Sequence, residues 1–292
     1  MKALKVIIIT LVVIVALLGV TIIGGYIYVR KAYGIDLFKT AGQLKTLSQH
    51  PDEQTLCPNA FTTDDLASAK AELDHNIKGL ITYEEGKGYQ GYTVNLSPTM
   101  AHTSFDDDIM FTAKEAGAIA KTVFYQQTGG KINVGDKELT VQLMQVEFLN
   151  VTAEGGADFN IVAKVDLTPF KDDMNSFPFK MFKKYVPDTM YVSSTVKITK
   201  TDNEMGYDLS SLGLKLNNLS FDDTADLFHT LDAVLKIGTA ENLNMQIGTT
   251  AVNSLIGTAE NPGFVYSLRY FGKTSFEFGE TDEPLIAVYE LK

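Results

Sequence analysis

The sequence predicts an α+β fold in which helices pack on long, curved antiparallel β-strands, preceded by an N-terminal transmembrane helix. Three observations predict this fold class. An uncharged apolar run occupies residues 6–29, later segments repeat apolar residues at three- and four-residue steps, and others alternate apolar with polar residues. The three- and four-residue steps are typical of helices, and alternation is typical of strands.

The apolar run from Val6 to Val29 has neither charge nor proline. About 20 such residues suffice to cross the roughly 30 Å hydrocarbon core of a bilayer as a helix. The run exceeds the apolar region of a cleaved signal peptide and lacks a small-residue cleavage pattern. Residues 1–30 are therefore predicted to be a cytoplasmic tail and a transmembrane signal anchor.

The orientation of the anchor is less strongly specified, because basic residues flank both ends of the run. The positive-inside rule then discriminates little between the two orientations. We expect a single-pass protein of the cell membrane whose body is extracytoplasmic, and the alternative is a body in the cytoplasm. Residues 31–60 are predicted to form a helical stalk and a linker, because helical spacing continues to Leu47 before Pro51 and Pro58 interrupt it.

The remaining residues, 61–292, are predicted to form one extracytoplasmic α+β domain. Thr112 and Glu115 form a capping box, a pattern that satisfies free amides in the first turn of a helix. Thr62 or Thr63 is predicted to cap another helix, Asp222 or Asp223 a further one, and a short helix is predicted near Thr250 to Ile256.

Alternation with a period of two predicts the strands of this domain. A glycine pair at positions 155 and 156 separates two long alternating segments, which favours antiparallel pairing. The predicted strands cover Tyr89–Leu96, Leu139–Val151, residues 159–167, 190–198 and 207–216, Phe264–Phe271, Ser275–Phe278 and Leu285–Leu291.

Composition excludes several function classes. The formal net charge of −11 would repel a phosphate backbone, so we expect no nucleic-acid partner. The four histidines are scattered, Cys57 is the single cysteine, and no common catalytic or phosphate-binding motif occurs. Asp106–Asp108 lack the spacing of a calcium site and are more typical of a solvated charge run. We therefore predict no catalytic residues, no metal, no cofactor and no enzymatic activity.

The segment between Pro169 and Pro187 is the most informative for function, because it combines large apolar side chains with lysines. Aromatic and basic residues together are typical of membrane interfaces, where rings enter the headgroup level and ammonium groups meet phosphates. The alternative is a strand connection whose rings close one end of the core. The predicted ligand or membrane contacts are Phe177, Phe179, Lys180, Met181, Phe182, Lys183, Lys184 and Tyr185.

The order of these features resembles the exported, membrane-anchored YpmS-like proteins of Gram-positive bacteria. The features are the N-terminal anchor, the helix capped by Thr112 and Glu115, the long alternating strands and the crossing rich in proline and phenylalanine. More distantly, the pattern resembles the tubular lipid-binding superfamily. The resemblance covers roughly residues 100–220 and implies a helix lying in a curved antiparallel sheet with an apolar groove for lipid.

We therefore expect a membrane-tethered extracytoplasmic module that binds lipid or another apolar ligand and that has the lipid bilayer as a partner. The alternative is a structural or assembly subunit that docks on another envelope protein through the same aromatic stretch. An enzyme that uses Asp106–Asp108 as acid and base is a third, weaker hypothesis.

Overall fold

The computed structural model describes residues 36–97, 108–134, 137–152, 155–169, 187–201, 205–235, 239–279 and 286–289. Within these ranges the fold is α+β, with helices packed on antiparallel sheets. The helices are α1 (Leu37–Leu47), α2 (Glu53–Leu56), α3 (Thr63–Asn76), α4 (Ala113–Thr128), α5 (Phe221–Leu235), α6 (Ala240–Leu255) and α7 (Phe264–Ser267). The strands are β1 (Ile81–Tyr83), β2 (Tyr92–Val94), β3 (Ile109–Phe111), β4 (Lys131–Val134), β5 (Lys137–Leu149), β6 (Gly156–Asp166), β7 (Thr189–Lys200), β8 (Tyr207–Leu216), β9 (Ser275–Phe278) and β10 (Ile286–Tyr289).

The predicted fold class is wrong in its first element, the transmembrane helix. No helix in the described ranges is long and apolar enough to cross a membrane. The longest of them, α4 and α6, have 16 residues each and carry polar side chains on one side, whereas a span needs about 20 mostly apolar residues. Residues 6–29, on which the prediction rested, lie outside the described ranges.

The main sheet holds β4 to β8 in sequence order, and each strand is antiparallel to the next. The antiparallel pairing predicted around the glycine pair is confirmed, because β5 and β6 are neighbours. Two register shifts, between Leu143 and Gln145 and between Thr195 and Val196, interrupt the ladders. Such bulges increase the twist and bend the strands.

Two smaller sheets complete the fold. One is the hairpin of β1 and β2, and the other has the order β3, β10, β9. Of the predicted strand Tyr89–Leu96, only Tyr92–Val94 forms β2.

The predicted helix starts at Thr62 and Thr112 are confirmed, and both are capping boxes. The Thr112 amide donates to the Glu115 carboxylate at 2.9 Å, and the Glu115 amide donates to the Thr112 hydroxyl at 3.2 Å. Near Thr250 the structure has the longer helix α6, which begins at Ala240.

The predicted strand Phe264–Phe271 is wrong, since this segment forms α7 and a 3₁₀ helix, Leu268–Phe271. Its buried apolar positions, 264, 265, 268 and 271, follow three- and four-residue steps. A short apolar run satisfies both periods, so periodicity alone does not separate a strand from a buried helix.

The two faces of the main sheet are covered differently. On one side, called the front face below, α4 and α6 pack on the sheet and on each other. On the opposite side, called the back face, residues 47–60 contact β5, β6 and β7 through hydrogen bonds and buried side chains.

Candidate apolar binding site

An apolar cavity of about 220 Å³ lies on the front face, between α4, α6 and the main sheet. Strands β5, β6 and β7 form its floor, and the two helices form its walls. The described lining residues are Ala120, Phe124, Thr128, Val141, Leu143, Ile161, Ala163, Val165, Val192, Leu243, Gln246, Ile247, Thr250, Ala251 and Ser254.

Strand alternation selects the floor of the cavity. Ile161, Ala163 and Val165 occupy every second position of β6, so they project from the same face. Val192 is the register partner of Ala163 and joins them on that face. The floor is therefore continuous from β6 to β7 and consists of hydrocarbon alone.

Small residues on the helices bring them close to their neighbours. A Cβ added at Gly248 of α6 would lie 2.4 Å from a methyl carbon of Val196, and one added at Gly117 of α4 would lie 2.5 Å from the Phe61 ring. Both distances are too short for a real contact, so a larger residue at either position would force its neighbour to shift.

Alanines then leave space beside these close contacts. Ala120 of α4, Ala163 of β6 and Ala251 of α6 all line the cavity. None of the three side chains extends beyond Cβ, so the space between helices and sheet stays unfilled.

A buried hydrogen-bond network holds α6 on the sheet beside the cavity. The Asn244 side-chain amide donates to the Thr195 carbonyl at 2.7 Å and to the Ser211 hydroxyl at 2.8 Å, and the Ser194 hydroxyl donates to its oxygen at 2.6 Å. Asn244 has no exposed surface and its amide is satisfied on both sides. Because Leu243 precedes it and lines the cavity, this network also sets the position of one wall.

The mouth of the cavity is polar but uncharged. Thr128, Gln246 and Thr250 line the cavity and are exposed, while Ser254 is buried. None of the described lining residues is ionisable. The arrangement suits an apolar molecule inserted from solvent and offers no acid or base for catalysis.

The back face carries a contacting group of ionisable side chains. The Lys164 ammonium lies 2.9 Å from the Glu53 carboxylate, which also accepts a hydrogen bond from the Tyr191 hydroxyl. The hydroxyl of Tyr191 and the ammonium of Lys164 hold the pKa of Glu53 below its ordinary value. Burial and the neighbouring carboxylate raise the pKa of Tyr191. These groups satisfy one another and attach α2 to the sheet.

Cys57 lies in the same region and is buried with Val162 and Tyr191. Burial raises the pKa of its thiol to about 11. Because the thiolate is the reactive form, this cysteine is unsuited to nucleophilic catalysis.

A second, polar cavity of about 800 Å³ lies where α3 and α4 begin. Its carboxylates are already engaged: Asp65 and Glu115 cap their helices, and Glu147 accepts hydrogen bonds from Asn59 and from Asn160. The described residues contain no cluster of three or more potential metal ligands. The apolar cavity is therefore the better candidate for a binding site.

The contacts predicted from sequence, Phe177 to Tyr185, all lie within residues 170–186, outside the described ranges. They stay a prediction. The described ends of this stretch are close to the cavity in sequence: β6 ends at Asp166, just after Val165, and β7 begins at Thr189, just before Val192.

Sequence reasoning did not identify the cavity. Alternation in β6 shows which residues face the helices, but not that the helices leave space above them. The alanines at 120, 163 and 251 were the available signal, and alanine is equally common in closely packed cores.

The fold and the site together define an α+β protein with an apolar cavity between two helices and an antiparallel sheet. Comparison of the chain with family models, with curated proteins and with solved structures finds no match. The resemblance to YpmS-like and tubular lipid-binding proteins stays a prediction.

Proposed function

We propose that this protein binds a lipid or another apolar ligand in the cavity on the front face and catalyses no reaction. The observation that carries the proposal is a cavity of about 220 Å³ whose floor is wholly apolar and whose exposed lining residues, at the mouth, are polar and uncharged. Ligand sites combine an apolar lining with a few polar groups in this way.

The size of the cavity is adequate for hydrocarbon. An engineered apolar cavity of about 150 Å³ stays dry and binds benzene. Moving apolar surface from water into such a site contributes about 25 cal/mol per Å². Affinity would therefore grow with the length of chain that the cavity accepts.

The first experiment is native mass spectrometry of the full chain purified from its own cells. We expect an added mass that matches a lipid, and we expect the purified chain to bind the uncharged fluorophore N-phenyl-1-naphthylamine. A clean unliganded mass together with no fluorophore binding would contradict the proposal. In that case a stoichiometric co-purifying protein would favour the docking subunit.

A matched pair of substitutions tests whether the ligand occupies this cavity. Ala163→Leu adds three carbons to the floor, whereas Ala41→Leu adds the same three carbons at an exposed position of α1. We expect Ala163→Leu to lower fluorophore affinity at least about tenfold, because a leucine side chain displaces the ligand. Ala41→Leu should leave the affinity unchanged. Equal affinities for the two variants would place the ligand elsewhere.

The bilayer as a partner and the extracytoplasmic location are also proposals, and the first has a test of its own. Phe177, Phe179, Lys180, Met181, Phe182, Lys183, Lys184 and Tyr185 are proposed to contact lipid. Replacing Lys180, Lys183 and Lys184 by glutamine should weaken flotation of the chain with anionic vesicles, since each basic residue near such a surface contributes about 1 kcal/mol. Unchanged flotation would contradict this part of the proposal.

A further inference from the structure

Each hydroxyl group that lines the cavity already donates a hydrogen bond to a backbone carbonyl oxygen. Thr128 Oγ1 lies 2.8 Å from the Phe124 carbonyl oxygen, Thr250 Oγ1 lies 2.8 Å from the Gln246 carbonyl oxygen, and Ser254 Oγ lies 3.0 Å from the Thr250 carbonyl oxygen. A carbonyl oxygen has no proton, so the hydroxyl is the donor in each pair.

These hydroxyl oxygens can still accept hydrogen bonds from a ligand. A hydroxyl oxygen has two lone pairs, and only one proton to donate. One lone pair of Thr128 accepts from the Gly130 amide at 3.2 Å, which leaves it a second. Thr250 and Ser254 accept no hydrogen bond within the described part of the chain. The mouth therefore presents the acceptor oxygens of Thr128 and Thr250, and the buried Ser254 presents another inside the cavity.

Few of the lining side chains can donate a hydrogen bond to a ligand. Among the described lining residues, Gln246 alone has side-chain N–H groups that a ligand could use, and none is ionisable. The chain as a whole carries a net charge of −11. A carboxylate or phosphate only accepts hydrogen bonds, and at this mouth it would find acceptor oxygens and a single described side-chain donor, the Gln246 amide. The net negative charge of the chain would also repel it.

We infer that the cavity selects apolar molecules with an uncharged, hydrogen-bond-donating head, of the alcohol class, over fatty acids and phosphate-bearing lipids. This inference rests on the proposed function and specifies the ligand of the same site. The chain of the ligand lies on the floor formed by Ala163, Val165 and Val192. Its hydroxyl donates to the threonine oxygens at the mouth.

The test is competition against N-phenyl-1-naphthylamine bound to the full chain, at pH 8, with three competitors of equal chain length: 1-decanol, decanoate and decane. We expect 1-decanol to displace the fluorophore at a concentration about tenfold lower than decanoate, because an ionised head without a donor or cation is poorly accommodated. It should also act at about threefold lower concentration than decane, the effect of one net hydrogen bond.

The outcomes separate this inference from the proposed function. Decanoate that competes as well as 1-decanol overturns the inference and leaves the binding function standing. Decane that competes as well as 1-decanol also overturns it, since the head would then contribute nothing. A chain that binds neither the fluorophore nor any competitor contradicts the proposed function itself.

A substitution at the mouth should reverse the preference. Gln246→Lys introduces a cation beside the acceptors, while Gln246→Met keeps the length and removes the amide without adding charge. We expect Gln246→Lys to improve decanoate competition about tenfold, the effect of a charge-assisted hydrogen bond. Gln246→Met should not improve it. If Gln246→Lys leaves decanoate competition unchanged, the head of the ligand does not lie at this mouth and the inference is wrong.

Discussion

The two faces of the same strands are covered in opposite ways. On the front face, Ala163 and Val192 lie under α4 and α6 and leave an apolar space. On the back face, Lys164 and Tyr191 contact Glu53 through an ion pair and a hydrogen bond. These positions are immediate neighbours in sequence, and the strand pairing places Ala163 opposite Val192 and Lys164 opposite Tyr191.

The difference shows how one pair of strands serves two purposes. Hydrocarbon has no directional partners, so the front face can adjust to different apolar molecules. Hydrogen bonds and ion pairs require fixed geometry, so the back face holds residues 47–60 in one arrangement. We therefore expect substitutions on the front face to change binding more than stability, and those on the back face to do the reverse.

The largest effect is expected at Asn217, which connects the back face to α1. Its side chain accepts from the Tyr191 amide at 2.7 Å and donates to the Leu47 carbonyl at 2.6 Å, and its φ is 48°. Asn217→Ala should lower the free energy of unfolding by about 4 kcal/mol, because buried groups lose partners and alanine is strained at positive φ. Urea denaturation measures the change.

Asn217→Gly is the control for the backbone at this position. Glycine removes the same hydrogen bonds without strain at positive φ, so it should be more stable than alanine by about 1 kcal/mol. Equal unfolding free energies for the alanine and glycine variants would show that the positive φ of residue 217 adds no strain in the alanine variant.

Among the described residues, the front face also carries a polar network at Asn244, so this position should affect stability as well as binding. Asn244→Ala removes the side-chain partner of the Thr195 carbonyl and of the Ser194 and Ser211 hydroxyls. We expect a loss of about 3 kcal/mol in unfolding free energy, because these buried and part-buried groups lose hydrogen bonds. Fluorophore affinity should also fall, because α6 carries one wall of the cavity. Lower stability with unchanged affinity would show that ligand binding does not depend on the position in which Asn244 holds α6.

Two adjacent residues on β6, Val162 and Ala163, test the difference between the two faces of the main sheet most directly. Val162→Leu adds a methylene group to the closely packed back face, where overpacking costs about 1–3 kcal/mol. Ala163→Leu adds three carbons to the open front face, and we expect its unfolding free energy to stay within about 1 kcal/mol of the wild type. Thermal and urea denaturation of both variants, with fluorophore binding, measure the contrast. A greater loss of stability in Ala163→Leu would show that the cavity is not free space.

The smallest effect is expected from the ion pair on the back face. Glu53→Gln should lower stability at pH 7 by about 1 kcal/mol, because solvent screens this partly exposed pair. The pKa of Glu53 is depressed in the folded protein, so its contribution is present above the unfolded value of 4.5 and is lost as pH falls through the lower folded value. The difference between wild type and variant should therefore shrink toward zero in acid, as urea denaturation at several pH values would show.

Cys57 provides an independent readout of the same contact. Because it is the single cysteine and is buried beside Tyr191, labelling of the native chain by a thiol reagent reports opening of residues 47–60. Glu53→Gln should speed labelling about fivefold, the equivalent of about 1 kcal/mol. An unchanged rate, with lower global stability, would mean that this segment opens independently of the ion pair.

Local signals predicted a large part of the fold. The helix starts at Thr62 and Thr112 could be predicted because a capping box involves residues three apart. The long strands could be predicted because alternation reports which side chains face the core. The segment 264–271 was assigned incorrectly because its apolar residues satisfy two periods until the packing of its neighbours is known.

Contacts between distant residues could not be predicted in the same way. Glu53 and Lys164 are 111 positions apart, and Asn217 and Leu47 are 170 apart. Nothing in the sequence near Pro51 indicates that this part of the chain lies on the main sheet. The ligand-binding stretch predicted at 177–185 lies outside the described residues, whereas the cavity is formed by alternating strand residues that looked like ordinary core.

The helix caps, the strand alternation, the acidity and the uncharged character of the residues that line the cavity depend on residue type and short spacing, so they can be read from the sequence. The close approach of two helices to their neighbours at Gly117 and Gly248, and the space that the alanines between them leave, depend on the packing of distant segments. An empty volume belongs to surfaces that are distant in sequence. The cavity forms only when α4, α6 and the main sheet pack together.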